Sequence, residues 1–139
     1  MRNNPAVIAQ NDNMISINTA LRVDLTGQAC SESLGSTVFS GTGGATDFAY
    51  GALRSKGGRG IIDLASTAPK GTISKIKAQL TPGSAATISR NLVDMIVTEF
   101  GVACLRGRTI REREQNLIAV AHPDFRNELT SQTKLLGIL

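Results

Sequence analysis

The stretch Ser40–Ser66, SGTGGATDFAYGALRSKGGRGIIDLAS, decides how the chain is read. Glycine stands at positions 41, 43, 44, 51, 57, 58 and 60, yet a helical apolar pattern runs through the middle. Phe48 with Ala52 and Ala49 with Leu53 form i, i+4 pairs. Thr46 or Asp47 can cap the start of that helix, and Gly57-Gly58 can stop it. The compact apolar run GIIDLAS that follows reads as a strand. Glycine is placed where the chain needs positive φ or where another group must come close. Glycines on both sides of a short helix therefore describe either a linker or a loop shaped around a ligand.

Working outward, the periodicity switches between two and near four. In ISINTALRVDL, residues 15–25, Ile15, Ile17, Thr19, Leu21, Val23 and Leu25 share one face, which predicts one long half-buried strand. Thr26-Gly27 ends it, and QACSES predicts a return strand of a hairpin. TISKIKAQL sets Ile76, Ala78 and Leu80 against Lys75, Lys77 and Gln79, and Pro82-Gly83 makes a turn. AATIS and DMIVTEFG read as two further strands, the second apolar enough to lie inside a sheet. Thr109 with Glu112 three residues on fits a capping box for a helix carrying Ile110, Leu117, Ile118 and Ala121. Pro123 closes that helix, and the last segment is expected to be helical and then to fray. Mixed with hairpin-like strands, these helices predict an α/β fold, a layered mixed sheet with flanking helices.

At 139 residues the chain has the length of one domain, and such a domain buries roughly two thirds of its unfolded surface. No apolar run approaches the ~18 residues of a membrane span, and the N-terminus lacks a signal-peptide plan, so a cytoplasmic protein is expected. Cys30 and Cys104 make no CxxC pair and are read as buried or half-buried thiols; with a single histidine, no metal site is arguable. The net charge of +4 is local: Arg54, Lys56, Arg59, Lys70, Lys75 and Lys77 face one acid, Asp63, across their segment. Beside a glycine loop this suggests a polyanionic ligand, against the plainer reading of solvated surface charge. With four Phe, one Tyr and no Trp, the chain lacks the stacking platforms of a nucleic-acid binder.

Five blocks in order carry a resemblance: NNPAVIAQNDNMISINTALRVDLTGQ (3–28), GTGGATDFAYGALRSKGG (41–58), IIDLASTAPKGTISKI (61–76), LVDMIVTEFGVACLRGRTIRERE (92–114) and IAVAHPDFRNEL (118–129). Together they resemble the C-terminal region of the acetyl-CoA hydrolase/CoA-transferase family, of the butyrate, 4-hydroxybutyrate or acetate CoA-transferase type. On that resemblance, residues 1–139 form the C-terminal domain, and the expected activity moves coenzyme A between short carboxylic acids through a glutamyl-CoA thioester. The resemblance implies that Gly43 and Gly44 offer backbone amides to the reacting carbonyl and shape the acyl pocket. It implies that Asn3 lies beside the reacting glutamate, and that Lys70 approaches the phosphates of coenzyme A. Asn3 is equally readable as a helix cap ahead of Pro5, and Lys70 as a hairpin-turn lysine. Ala45 departs from the glutamine that many relatives carry after the glycine pair, which leaves the choice of acid open.

In the family the nucleophilic glutamate lies upstream of the NNPAV block, so the resemblance implies that it lies outside this chain. Of the glutamates present, Glu99 alone ends a strand as an α/β active-site residue does; its plainer role is a structural carboxylate. Glu112 and Glu114 read as helix cap and solvated face, and His122 as a C-terminal helix cap. The expected partners are acyl-CoA, short carboxylates and the missing N-terminal half of the enzyme. Without that half, bared sheet edges and apolar surface make a homo-oligomer the expectation. The alternative is an inactive truncated module that folds, self-associates and binds coenzyme A weakly.

Overall fold

The computed structural model describes residues 3–137. Its centre is a four-stranded sheet in the order β1 (Ile15–Thr19), β6 (Arg59–Asp63), β8 (Met95–Thr98), β9 (Gly101–Cys104). The first three are parallel, and β9 returns antiparallel to β8. A second sheet joins β2 (Arg22–Asp24) to β3 (Ala29–Cys30) antiparallel and to β7 (Ile76–Lys77) parallel. β4 (Ser33–Leu34) and β5 (Thr37–Val38) form a separate hairpin. Helices α1 (Pro5–Ile8), α2 (Ala45–Arg54), α3 (Ile110–Val120) and α4 (Pro123–Leu136) complete the fold.

The expected α/β architecture of sheet and flanking helices is present, with several elements redrawn. The long strand predicted over residues 15–25 breaks between sheets, because Ala20 N–H still donates to Asp63 O whereas Leu21 N–H donates to Cys30 O. Its burial is also inverted in the first half: Ser16 is 3% exposed while Ile15 and Ile17 are 56% and 67% exposed. From Val23 on, the apolar residues are inside, with Val23 and Leu25 fully buried. The return strand after Gly27 is β3, but AATIS contributes only one bridge, Ile88 to Ala29. Strand β9 has no counterpart in the sequence reading, since GVAC is short and follows the apolar DMIVTEF run without a conventional turn pair.

Helix α2 begins one turn position earlier than predicted. Gly44 is its N-cap, and neither Thr46 nor Asp47 is; the Thr46 hydroxyl instead donates to Thr87 O at 2.6 Å. Ser55, extended, ends the helix ahead of the Gly57-Gly58 pair. Gly51, in mid-helix, is required by close approach: a Cβ there would collide with Ile8, so α1 seats on α2 through the missing side chain. The capping box of α3 is formed, with the Thr109 hydroxyl accepting from Glu112 N–H at 3.2 Å and the Glu112 carboxylate accepting from Thr109 N–H at 2.7 Å.

His122 does not cap the end of α3. It is the N-cap of α4, where Nδ1 accepts from Asp124 N–H, and the α3 terminus is served by Arg126 Nε donating to Ala121 O. Glu114 is not a solvated residue either; it is 2% exposed, and its Oε2 has no hydrogen-bond partner among the described residues. Cys30 is buried as expected, donating to Ser33 O, while Cys104 is exposed. The expected fraying of the C-terminus falls on residues 138–139, outside the described residues; α4 itself runs to Leu136 with Gly137 as a left-handed C-cap. Among the described residues, no helix is long and apolar enough to cross a membrane.

Candidate acyl-CoA site

The orientation of α2 places the glycine loop. At its C-terminal end the Ser55 hydroxyl accepts from Met14 N–H, just ahead of β1, so α2 runs antiparallel to β1. Its N-terminus, Gly44, therefore lies toward the carboxyl ends of β1 and β6. Lys70 follows β6 and Glu99 follows β8, which puts both at that same edge. In parallel α/β sheets the carboxyl edge is where ligands bind, because the loops there converge with helix N-termini.

Gly44 has φ −97° and ψ 5°, a conformation open to any L-residue, so backbone freedom is not what it supplies. What it supplies is space. A Cβ on Gly44 would stand 2.8 Å from Asn3 Nδ2 and 3.3 Å from both Asn3 Cγ and Phe48 Cδ2. Gly43 carries the left-handed conformation, at φ +55°, and faces open space. No side chain caps α2, so the N–H groups of its first turn, which have no intrahelical acceptor, remain available beside the positive end of the helix dipole.

Asn3 is thus brought against Gly44, and the cap ahead of Pro5 is its neighbour Asn4, whose Oδ1 accepts from Ala6 N–H at 2.9 Å. Beside them, Phe48 and residues 14–18 line a groove of about 320 Å³. Lys70 sits at the exposed tip of a turn closed by the Thr67–Ser74 bridge and by Ala68 N–H donating to Ile73 O, and it holds φ +74°. No contact joins Lys70 to Gly44 among the described residues; the two share an edge of the sheet. The sequence-local basic cluster is also divided in space: Arg54, Lys56 and Arg59 lie at the amino end of β6, where Arg106 donates to Leu53 O, whereas Lys70 lies beyond its carboxyl end.

Glu99 is engaged. Its Oε2 accepts from Ser66 N–H at 2.9 Å and its Oε1 from the Ser66 hydroxyl at 2.6 Å. The Ser66 hydroxyl, above all, holds the carboxyl below its ordinary range, against an opposing effect of burial. This fork anchors the start of the loop that carries Lys70, and Lys75 N–H donates to Ser66 O to anchor its end. Sequence reasoning singled out Glu99 by its strand-end position but missed Ser66, whose partner is 33 residues away. Among the described residues no group of His, Cys, Asp and Glu side chains is assembled to hold a metal ion.

The glycine loop at the N-terminus of α2 and the turn that carries Lys70 both stand at the carboxyl edge of the mixed sheet of an α/β domain. The chain belongs to the acetyl-CoA hydrolase/transferase family, matching the model of that family's C-terminal domain over residues 1–133. It is 56% identical over 135 residues to the succinyl-CoA:cyclohexane-1-carboxylate CoA transferase of Geobacter metallireducens, covering 97% of this chain and 31% of that protein. It is 54% identical over 132 residues to the 4-hydroxybutyrate coenzyme A transferase of Clostridium kluyveri, covering 95% of this chain and again 31% of the relative. The crystal structure of RipA from Yersinia pestis superimposes with a TM-score of 0.92 at 46% identity, over 99% of this chain and 31% of that one. The chain thus spans about a third of the length of the relatives it matches.

Proposed function

We propose that this chain is the C-terminal part of a transferase that moves coenzyme A between short carboxylic acids, acting with a glutamate that lies outside it. In the proposed cycle the glutamate carboxylate attacks the acyl-CoA carbonyl, and the coenzyme A thiolate leaves to give a mixed anhydride. The thiolate then attacks the glutamyl carbonyl, releasing the first acid and leaving a glutamyl-CoA thioester. A second carboxylate reverses both steps and departs as the new acyl-CoA. Each attack develops an oxyanion, and a preset donor near it is worth about 3 kcal/mol in comparable sites. In this reading the amides of Gly43 and Gly44 supply such donors, Asn3 Nδ2 positions the glutamate, and Lys70 pairs with a phosphate of coenzyme A.

The observation that carries the reading is the contact of Asn3 with Gly44, which unites at one helix N-terminus two residues 41 positions apart in the chain. The plainer reading, a module that folds and binds coenzyme A without turnover, is favoured for the isolated chain by Glu99: both of its oxygens are occupied by Ser66, so it is poorly placed to attack. One comparison tests both. The purified chain is expected to show no exchange of coenzyme A between butyryl-CoA and acetate, and a fusion restoring the N-terminal portion of the Geobacter relative is expected to show it. An inactive but folded fusion would refute the transferase reading, and turnover by the chain alone, lost in Glu99→Gln, would move the nucleophile to Glu99.

A further inference from the structure

The glycine loop that offers its amides at the candidate site has little of its own to hold it. Three of the five residues of Ser40–Gly44 are glycine. A Cβ at Gly41 or Gly43 would meet nothing within 4 Å. The loop's one side-chain hydrogen bond among the described residues is local, from Ser40 Oγ to Gly41 O at 3.2 Å. Glycine has the most backbone freedom to lose, so a segment of this composition fixes no geometry by itself. Donors that stabilise an oxyanion must be preset, and here the order has to be imposed from the two ends of the loop.

Both ends lead to one pair of residues. At the near end, Glu32 O accepts from Phe39 N–H at 2.7 Å and from Ser40 N–H at 3.3 Å, which closes the base of the β4–β5 hairpin where the loop leaves it. At the far end, the Thr46 hydroxyl, in the first turn of α2, donates to Thr87 O at 2.6 Å. Thr87 joins the two. Its hydroxyl accepts from Ser31 N–H at 3.0 Å and donates to the Glu32 carboxylate at 3.1 Å. Thr87 is itself rooted in the core, because its neighbour Ile88, fully buried, exchanges backbone hydrogen bonds with Ala29 in both directions. The segment AATIS, which adds only that bridge to a sheet, thus sets Thr87 between the hairpin and the helix.

We propose that Thr87 and Glu32 are the positioning residues of the glycine loop: a clamp, rooted at Ile88, that fastens both ends of the loop and so aims the amides of Gly43 and Gly44. The importance of the clamp for transfer rests on the reading of those amides as oxyanion donors. Neither residue touches substrate; both act through the loop. Thr87 is the hub, since its hydroxyl serves the hairpin end and its carbonyl the helix end. Thr87→Val keeps the shape and removes the hydroxyl, which leaves the Ser31 N–H and the Glu32 carboxylate without it. Thr87→Ser keeps all three hydrogen bonds. A displacement of about 1 Å at a reacting centre can cost on the order of 100-fold in rate, so a loosened clamp reaches the chemistry.

In the fusion that restores the N-terminal portion of the Geobacter relative, Thr87→Val is expected to lower kcat for exchange between butyryl-CoA and acetate by ~10-fold or more. The KM for butyryl-CoA is expected to stay within about threefold, because the donors act on charge that develops only in the transition state. Thr87→Ser is expected to restore most of the loss. Added to Gly44→Ala, Thr87→Val should cost much less than it does alone, since two changes that act through one loop are not additive. Wild-type kcat in folded Thr87→Val, or full additivity in the double variant, would overturn the proposal.

The chain by itself gives a second test, by NMR relaxation of the backbone amides. Order parameters across Gly41–Gly44 are expected near the rigid value of ~0.85 in the wild type and to fall toward ~0.6 in Thr87→Val, with β8 unchanged. Glu32→Ala, at a half-buried position, leaves the bonds of Thr87 to Ser31 and Thr46 in place and is expected to loosen the loop in the same direction; it carries the test if Thr87→Val does not fold. A loop already mobile in the wild type, or as rigid in the variants as in the wild type, would overturn the clamp. A loosened loop together with an unsubstituted fusion that shows no transfer would leave the clamp standing and remove the functional reading.

Discussion

Replacing Gly44 by alanine separates space from backbone freedom at the glycine loop. At φ −97° and ψ 5° alanine incurs no strain, so the cost in stability comes from a poorer N-cap and the gain from a stiffer unfolded chain. Each is about 0.5–1 kcal/mol and they oppose one another. For a chain of this length a net change below ~1 kcal/mol shifts the midpoint by only about 2–5 °C. The new methyl, however, would lie 2.8 Å from Asn3 Nδ2. Because Asn3 is exposed, its side chain would yield by moving away and leave the positioning role assigned to it. Turnover of the completed fusion is therefore expected to drop by ~10-fold or more, equivalent to about 1.4 kcal/mol at the transition state. Gly43→Ala is the converse: at φ +55° with no neighbour within 4 Å, it should cost about 1 kcal/mol of stability and leave the Asn3 contact alone. The assay measures the turnover number and the unfolding midpoint on one preparation of each variant. Normal turnover in folded Gly44→Ala would refute the role given to the Asn3–Gly44 contact.

Three further expectations concern the chain by itself. Glu99 has a lowered folded-state pKa, so its contribution to the Ser66 loop is present above its ordinary value of 4.5 and is lost as pH falls through the lower folded value; amide exchange at Ser66 should rise over that acid window in the wild type and be raised at all pH values in Glu99→Gln. Glu114 buries a carboxylate with an unpartnered oxygen, and Glu114→Met, of similar shape, should raise the unfolding midpoint by an amount worth about 1 kcal/mol or more; a lowered midpoint would reveal a partner for that oxygen. Coenzyme A should bind weakly and lose affinity with salt, because exposed charge contacts are screened, and Lys70→Ala should bind more weakly still with a shallower salt dependence; calorimetry finding tight, salt-independent binding would contradict the phosphate role of Lys70.

What the sequence determined by itself was local. The capping box at Thr109 and Glu112, the stop at Pro123 and the helix through FAYGAL depend on residues within a turn of one another, so their chemistry is written in consecutive positions. The family blocks likewise pointed to Gly43, Gly44, Asn3 and Lys70 as a set. Tertiary structure decided where distant partners compete. Leu21 turns to Cys30 and so splits a perfect alternation into two strands; Asn4 takes the cap and leaves Asn3 free to meet Gly44. Glu114, on a helix face whose pattern read as solvated, went inside because α3 packs between sheet and α4. Above all, period-two alternation announces that one face of β1 is apolar but not which face the fold covers. Ser16 is buried and Ile17 exposed because burial follows the packing of α2 over β1 and β6.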